Sequence, residues 1–86
     1  MNTQNYTEQS VEKEVVQLIS SVTKVHPNRL RKVRDLSNVG LDIVDVVDVI
    51  LKVEKKYNLT IPDEVPVYSV DDFVNYIISQ QMQQAS

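Results

Sequence analysis

A small all-α bundle with up-and-down packing is the fold this sequence predicts: three main helices, a long first connection, and a short or degenerate helical turn before the last helix. Two observations predict it. Apolar residues recur at helical offsets in three separate stretches. In the middle stretch Asp42, Asp45 and Asp48 recur every three residues, which holds them on one helical stripe but would alternate them between the two faces of a strand. A length of 86 residues supports one hydrophobic core, so residues 1–86 read as a single domain, with residues 1–9 and 80–86 as frayed tails.

The first stretch places Val11, Val15, Leu18, Ile19 and Val22 on one helical face. Ser10 is its candidate N-cap, and Glu12 and Glu14 suit the positive end of the helix dipole. The helix is expected to end near Val25, because Pro27 disfavours helical geometry at His26. From His26 to about Leu41 the chain reads as a long, partly ordered connection held down by Leu30, Val33, Leu36 and Val39. Isoleucine and valine favour strand between Asp42 and Tyr57 by propensity, but the aspartate spacing selects helix, with Asp42 as cap and Asn58 as stop. Its core face is expected to include Val44, Val47, Ile50, Leu51, Val53 and Tyr57. Pro62 and Pro66 leave room for at most one helical turn between Leu59 and Val67. Ser69 and Asp72 then make a capping-box-like pair before Val70, Phe73, Val74, Ile77 and Ile78, which define the last helix. Beyond Ser79 the polar, uncharged tail is expected to fray.

Composition removes several functions. There is no cysteine, so disulfides, thiolate nucleophiles and cysteine-based metal sites are excluded, and the lone His26 cannot build a histidine metal site. One glycine, Gly40, is too few for a phosphate-cradling loop. No apolar run approaches the roughly 20 residues of a membrane span, and a cytoplasmic protein is expected. The formal charge of −3 argues against nucleic acid as the main partner. Charge is nonetheless segregated: Lys24, Arg29, Arg31, Lys32 and Arg34 carry residues 24–34, whereas nine acids face three lysines over residues 35–72.

Gly40, Leu41, Asp42, Ile43, Val44, Asp45, Val46, Val47, Asp48, Val49 and Ile50 open an acidic helix that Val53, Glu54 and Tyr57 continue; Ile61, Pro62, Asp63 and Glu64 come after it, and Tyr76 and Ile77 close the last helix. In this order and spacing the sequence resembles the acyl carrier protein family, with its Gly-x-Asp-Ser-Leu opening, acidic helix, Ile-Pro-Asp-Glu and closing Tyr-Ile. The resemblance departs at the family's chemical centre. Carriers receive phosphopantetheine on the serine after the aspartate, through its hydroxyl, and that position here is Ile43. No phosphopantetheine or other cofactor is therefore expected, and no catalytic residue. Ser37, six residues earlier, is the alternative attachment point, but aligning it shifts Asp42, Asp45 and Asp48 off the family's acidic positions. The segment between Glu64 and Ser69 is also shorter than in typical carriers.

The resemblance implies that Leu41, Asp42, Ile43, Asp45, Val46, Asp48 and Glu54 form a docking surface for proteins bearing Lys and Arg patches, as interfaces commonly combine an apolar middle with a charged rim. Ile43 and Val46 have a second reading, as core residues of a rotated helix. The basic cluster Arg29, Arg31, Lys32 and Arg34 reads as pairing with acids of its own chain or a neighbouring copy; it has no interleaved aromatics for base stacking, and a nucleic-acid accessory is the weaker reading. The function expected is an acyl-carrier-like interaction module of fatty acid or polyketide-type pathways that cannot carry phosphopantetheine in the usual way. The alternative is a genuine carrier of acyl, polyketide or peptide intermediates with unorthodox attachment.

Overall fold

The computed structural model of the protein describes residues 7–85, with side chains described as far as Gln81. Helix α1 spans Glu8–Thr23, α2 Pro27–Lys32, α3 Ile43–Tyr57 and α4 Val70–Ala85, with one 3-10 turn at Ser37–Val39. Helix α1 is the element against which α2, α3 and α4 all pack. That central place explains why its buried face is wide, with the adjacent Val15 and Val16 both in the core beside Val11 and Ile19. Leu18 and Val22, expected there too, are half-buried against it.

The cap of α1 lies earlier than Ser10. Thr7 is the N-cap, its hydroxyl oxygen accepting from the Ser10 amide at 3.1 Å, and Ser10 sits inside the first turn. Thr7, Glu8 and Gln9 therefore belong to the helix and its cap, not to a frayed tail; residues 1–6 and 86 lie outside the described residues. The helix closes at Lys24, which takes the left-handed conformation at φ 67° and sends its amide back to the Ser20 carbonyl.

The connection after α1 holds a helix that the sequence reading omits. His26 is extended, as a residue before proline should be, but it is also the N-cap of α2, its Nδ1 accepting from the Asn28 amide at 3.1 Å. Pro27 is the first helical residue, where its missing N–H costs nothing and its fixed φ suits the helix. The same proline that ends helix on one side starts it on the other. Leu30 is fully buried, and the chain then pairs briefly with the start of α4: Leu36 N–H donates to the Tyr68 carbonyl at 2.9 Å, and Val70 N–H to the Arg34 carbonyl at 2.9 Å. Gly40, at φ 88°, closes the 3-10 turn, a conformation that favours glycine.

Helix α3 has both predicted ends. The Asp42 carboxylate accepts from Asp45 N–H at 3.0 Å, the Asp45 carboxylate accepts from Asp42 N–H at 3.3 Å, and Asn58 ends the helix in the left-handed region at φ 55°. Its core face differs from expectation. Val49, Val53 and Tyr57 are buried, with Val46 and Ile50 half-buried beside them, whereas Val44, Val47 and Leu51 are exposed at 64%, 46% and 57%. Valine and isoleucine fill so many positions that two adjacent stripes satisfy helical spacing. Contact with α1 selects the stripe through Val49 and Val53.

No helix occurs between α3 and α4 among the described residues. The segment is pinned instead by the Glu54 carboxylate, which accepts from Ile61 N–H at 2.7 Å, by the Tyr76 hydroxyl donating to the Thr60 carbonyl at 2.7 Å, and by burial of Ile61 and Val67. Ser69 caps α4 through Asp72 N–H at 3.1 Å, and the Asp72 carboxylate reaches back to Tyr68 N–H at 2.8 Å. Val70, Phe73, Val74 and Ile77 fill the core. The helix continues to Ala85, past Ser79 where the sequence alone expects a loose tail.

Arg34 ties three elements together, donating to Asp71 on α4 through two guanidinium nitrogens and to Glu12 on α1. The guanidinium holds the Asp71 carboxyl below its ordinary range. A depressed folded pKa favours the ionised form in the native state, so the contact stabilises above the unfolded-state value of about 4 and is lost as pH falls through the folded one. Asp71→Asn is expected to flatten the acid limb of a stability-versus-pH curve, read by urea melts near neutrality and in acid, while changing neutral stability by only about 1 kcal/mol because the pair is solvent-screened.

Candidate functional site

The site grows from the start of α3. Asp42 and Asp45 are committed to each other's amides, which fixes the first turn and leaves the next side chain, Ile43, pointing away from the core at 78% exposure. Of the two readings for Ile43, burial in a rotated helix is therefore excluded. Leu41 and Val46 are half-buried. Beside them a cleft of about 680 Å³ opens toward the segment after α3, lined by Leu36, Leu41, Ile43, Val46, Ile50 and Val67, with Asp35, Asp42 and Asp63 also on its wall.

The acids do not form one uniform row. Asp42 and Asp48 are exposed and Asp45 is partly so, whereas Glu54 is half-buried and occupied by the Ile61 amide. Glu54 is thus a clamp on the connector, and the outward acidic line consists of Asp42, Asp45 and Asp48. Exposed apolar residues that the sequence reading did not assign to the site flank this line: Val44, Val47 and Leu51 on α3, and Tyr68, 73% exposed, across the cleft. Their signal was present in the second regular stripe of the helix, misread as core.

Ser37 stands on the wall of the same cleft. Its hydroxyl donates to Asp35 Oδ1 at 2.7 Å and its amide to the same oxygen at 2.9 Å. Those hydrogen bonds, the hydroxyl's first, hold the Asp35 carboxyl below its ordinary range. An acid so stabilised as its anion is a weak base, poorly suited to strip the proton from the hydroxyl it orients.

The basic cluster divides. Arg34 pairs with Asp71 and Glu12, as the pairing reading expects. Arg31 instead donates to the Asn28 side chain at 3.2 Å and Arg29 to the Asn38 carbonyl at 3.5 Å; with Lys32 they remain exposed. Among the described residues no group of three or more acids or histidines is arranged to hold a metal, Asp63 and Glu64 included, and no helix is long and apolar enough to cross a membrane.

The family model described as "Phosphopantetheine attachment site" matches residues 13–77. The chain is 34% identical over 70 residues to the mitochondrial acyl carrier protein of Neurospora crassa, covering 77% of this chain and 52% of that protein. It is 31% identical to the acyl carrier protein of Porphyromonas gingivalis, covering 78% of this chain and 90% of the relative. A putative mitochondrial acyl carrier protein of Schizosaccharomyces pombe is also 31% identical, over 77% of this chain and 62% of its own length. The chain therefore spans about half to two thirds of the two fungal relatives and most of the bacterial one. Matched across both α3 and the segment that follows it, the chain belongs to the acyl carrier protein family, a family of carriers rather than enzymes.

Proposed function

We propose that this protein is an acyl-carrier-family module that does not take phosphopantetheine in the usual way and instead binds proteins of fatty acid or polyketide-type pathways. One observation carries the reading: the first residue of α3, directly after the capping Asp42, is the exposed Ile43. Attachment as a phosphodiester needs a hydroxyl oxygen to attack phosphorus, and an isoleucine side chain has no such atom. What stays at this end of the helix is a recognition surface. Leu41, Ile43 and Val46 give it an apolar middle, and Asp42, Asp45 and Asp48 give it a negative edge that steers basic partners, governing on-rate and specificity more than affinity. The acidic composition and cysteine-free chain fit a cytoplasmic setting.

A second reading, a genuine carrier with unorthodox attachment, draws support from Ser37, an exposed serine that lines the same cleft as Ile43. Intact mass separates the two. After incubation with coenzyme A and a broad-specificity phosphopantetheinyl transferase, the protein is expected to keep its mass while an ordinary carrier in the same tube gains one phosphopantetheine. A gain of that group by this protein would overturn the proposal.

A further inference from the structure

Helix α3 carries two patterns, one that the docking reading leaves out and one that it uses only in part. The first is apolar: Val44, Val47 and Leu51 lie on one stripe and are exposed at 64%, 46% and 57%, positions where the fold itself gains little from them. The second is a polarity of charge along the axis. The N-terminal half bears Asp42, Asp45 and Asp48, and the C-terminal half bears Lys52, Lys55 and Lys56. With 3.6 residues per turn, Asp45, Asp48, Lys52 and Lys55 all fall on the same flank of the apolar stripe. The ion pairs among the described residues are those of Arg34, so Asp48, Lys52 and Lys55 are not consumed within the fold.

A uniformly basic partner suits only half of this helix, because it is attracted by the aspartates and repelled by the lysines. A reversed copy of the same helix suits both halves. Under a two-fold axis perpendicular to the helices, each flank meets its own counterpart run backwards. Asp48 then comes level with Lys52 of a second molecule and Asp45 with its Lys55, each contact occurring twice, while Val47 and Leu51 of one copy sit two residues, about 3 Å along the axis, from Leu51 and Val47 of the other. A parallel two-fold pair would instead turn this flank to the opposite flank of the partner helix, which carries Ile43, Ile50 and Glu54, so the aspartates and lysines of the two copies would not meet. We infer that the protein self-associates through an antiparallel α3–α3 contact, with Val47 and Leu51 as its seam, Val44 at its edge level with Lys56 of the second copy, and reciprocal Asp48–Lys52 pairs as its register. A seam this narrow belongs with small, transient interfaces, so the dimer forms and dissociates with concentration. It also covers the aspartates that would steer a basic partner, although the contact itself does not depend on the docking reading.

Sedimentation velocity on the full chain, from low micromolar to millimolar concentration, tests the inference. The weight-average mass is expected to rise from monomer toward dimer and to fall back as salt is raised. Asp48→Lys and Lys52→Glu, both exposed and outside the capping box, are each expected to weaken association about tenfold, since each turns two attractive contacts into repulsive ones. The double variant Asp48→Lys/Lys52→Glu restores the complementarity in reverse and is expected to recover association to within about threefold of the original. Val47→Asp, checked by circular dichroism to be folded, is expected to stay monomeric. A protein that is monomeric throughout the range, or a dimer that ignores the two single charge reversals, or a double variant no stronger than the singles, would overturn the inference.

Discussion

Replacing Ile43 by serine is expected to turn a chain that transferase and coenzyme A leave unchanged into one that gains a single phosphopantetheine. Ile43 is 78% exposed, so its removal opens no cavity and the fold should change by less than about 0.5 kcal/mol. The capping box is made by Asp42 and Asp45 and involves only backbone amides and their own carboxylates, so the first turn keeps its geometry. A hydroxyl at the first helical position lies at the positive end of the helix dipole, where the charge of an added phosphate is favoured. Intact mass reads the outcome, with the unsubstituted chain and an ordinary carrier as controls. The same background reports on docking: adding Asp48→Lys to Ile43→Ser should slow modification by a basic-faced transferase, with the loss in on-rate and not in the final extent. An Ile43→Ser chain that is folded yet stays at its original mass would show that Ile43 does not occupy the attachment position. A gain by the unsubstituted chain that disappears in Ser37→Ala would establish the other attachment point.

How much of this site could be read in the sequence depends on the kind of signal each residue gives. Asp42 and Asn58 were legible because caps are local: a short carboxylate before an apolar run and an asparagine after it state their roles within one turn, whereas the return bond from Asp45 to the Asp42 amide was not assigned from the sequence. Ser69 and Asp72 were legible for the same reason, although Asp72 closes on Tyr68 N–H and not on the cap's own amide. The orientation of α3 was not legible, because Val44, Val47 and Leu51 form as regular a stripe as Val46, Val49, Ile50 and Val53, and only α1 decides which is buried. Ile43 could not be placed for the same reason until the helix was oriented. Helix α2 was hidden by reading Pro27 for what it forbids before it and not for what it permits after it. The Glu54 clamp is a contact seven residues away along the chain, formed by a connector without regular structure, and no periodicity reports such a bond.

The orientation of α3 can itself be checked by stability, alongside the largest loss that a single truncation should cause. Among the described residues Phe73 is the biggest fully buried side chain, held on α4 in the core against which α1 packs. Phe73→Ala removes its dispersion contacts and leaves a cavity that close-packed neighbours fill only in part, an expected cost of about 3–5 kcal/mol. That is a large share of the total for a domain whose stability is of order 5–15 kcal/mol, and at 86 residues this one belongs toward the lower end, so urea or thermal melts should find the variant partly unfolded near room temperature. By contrast, the Arg34 contacts with Asp71 and Glu12, the visible electrostatic ties between elements, are partly exposed pairs worth about 1 kcal/mol or less each. The core, not the ion pairs, holds the bundle. Leu51→Ala supplies the comparison on the helix in question: as a core residue it would cost about 2–5 kcal/mol, but at 57% exposure it should cost about 0.5 kcal/mol or less at concentrations where the chain is monomeric. A severe loss at Leu51 would turn the helix round and bury the stripe on which self-association depends. A small one leaves Val44, Val47 and Leu51 outside the fold, so that whatever they contribute they contribute to contacts with another molecule.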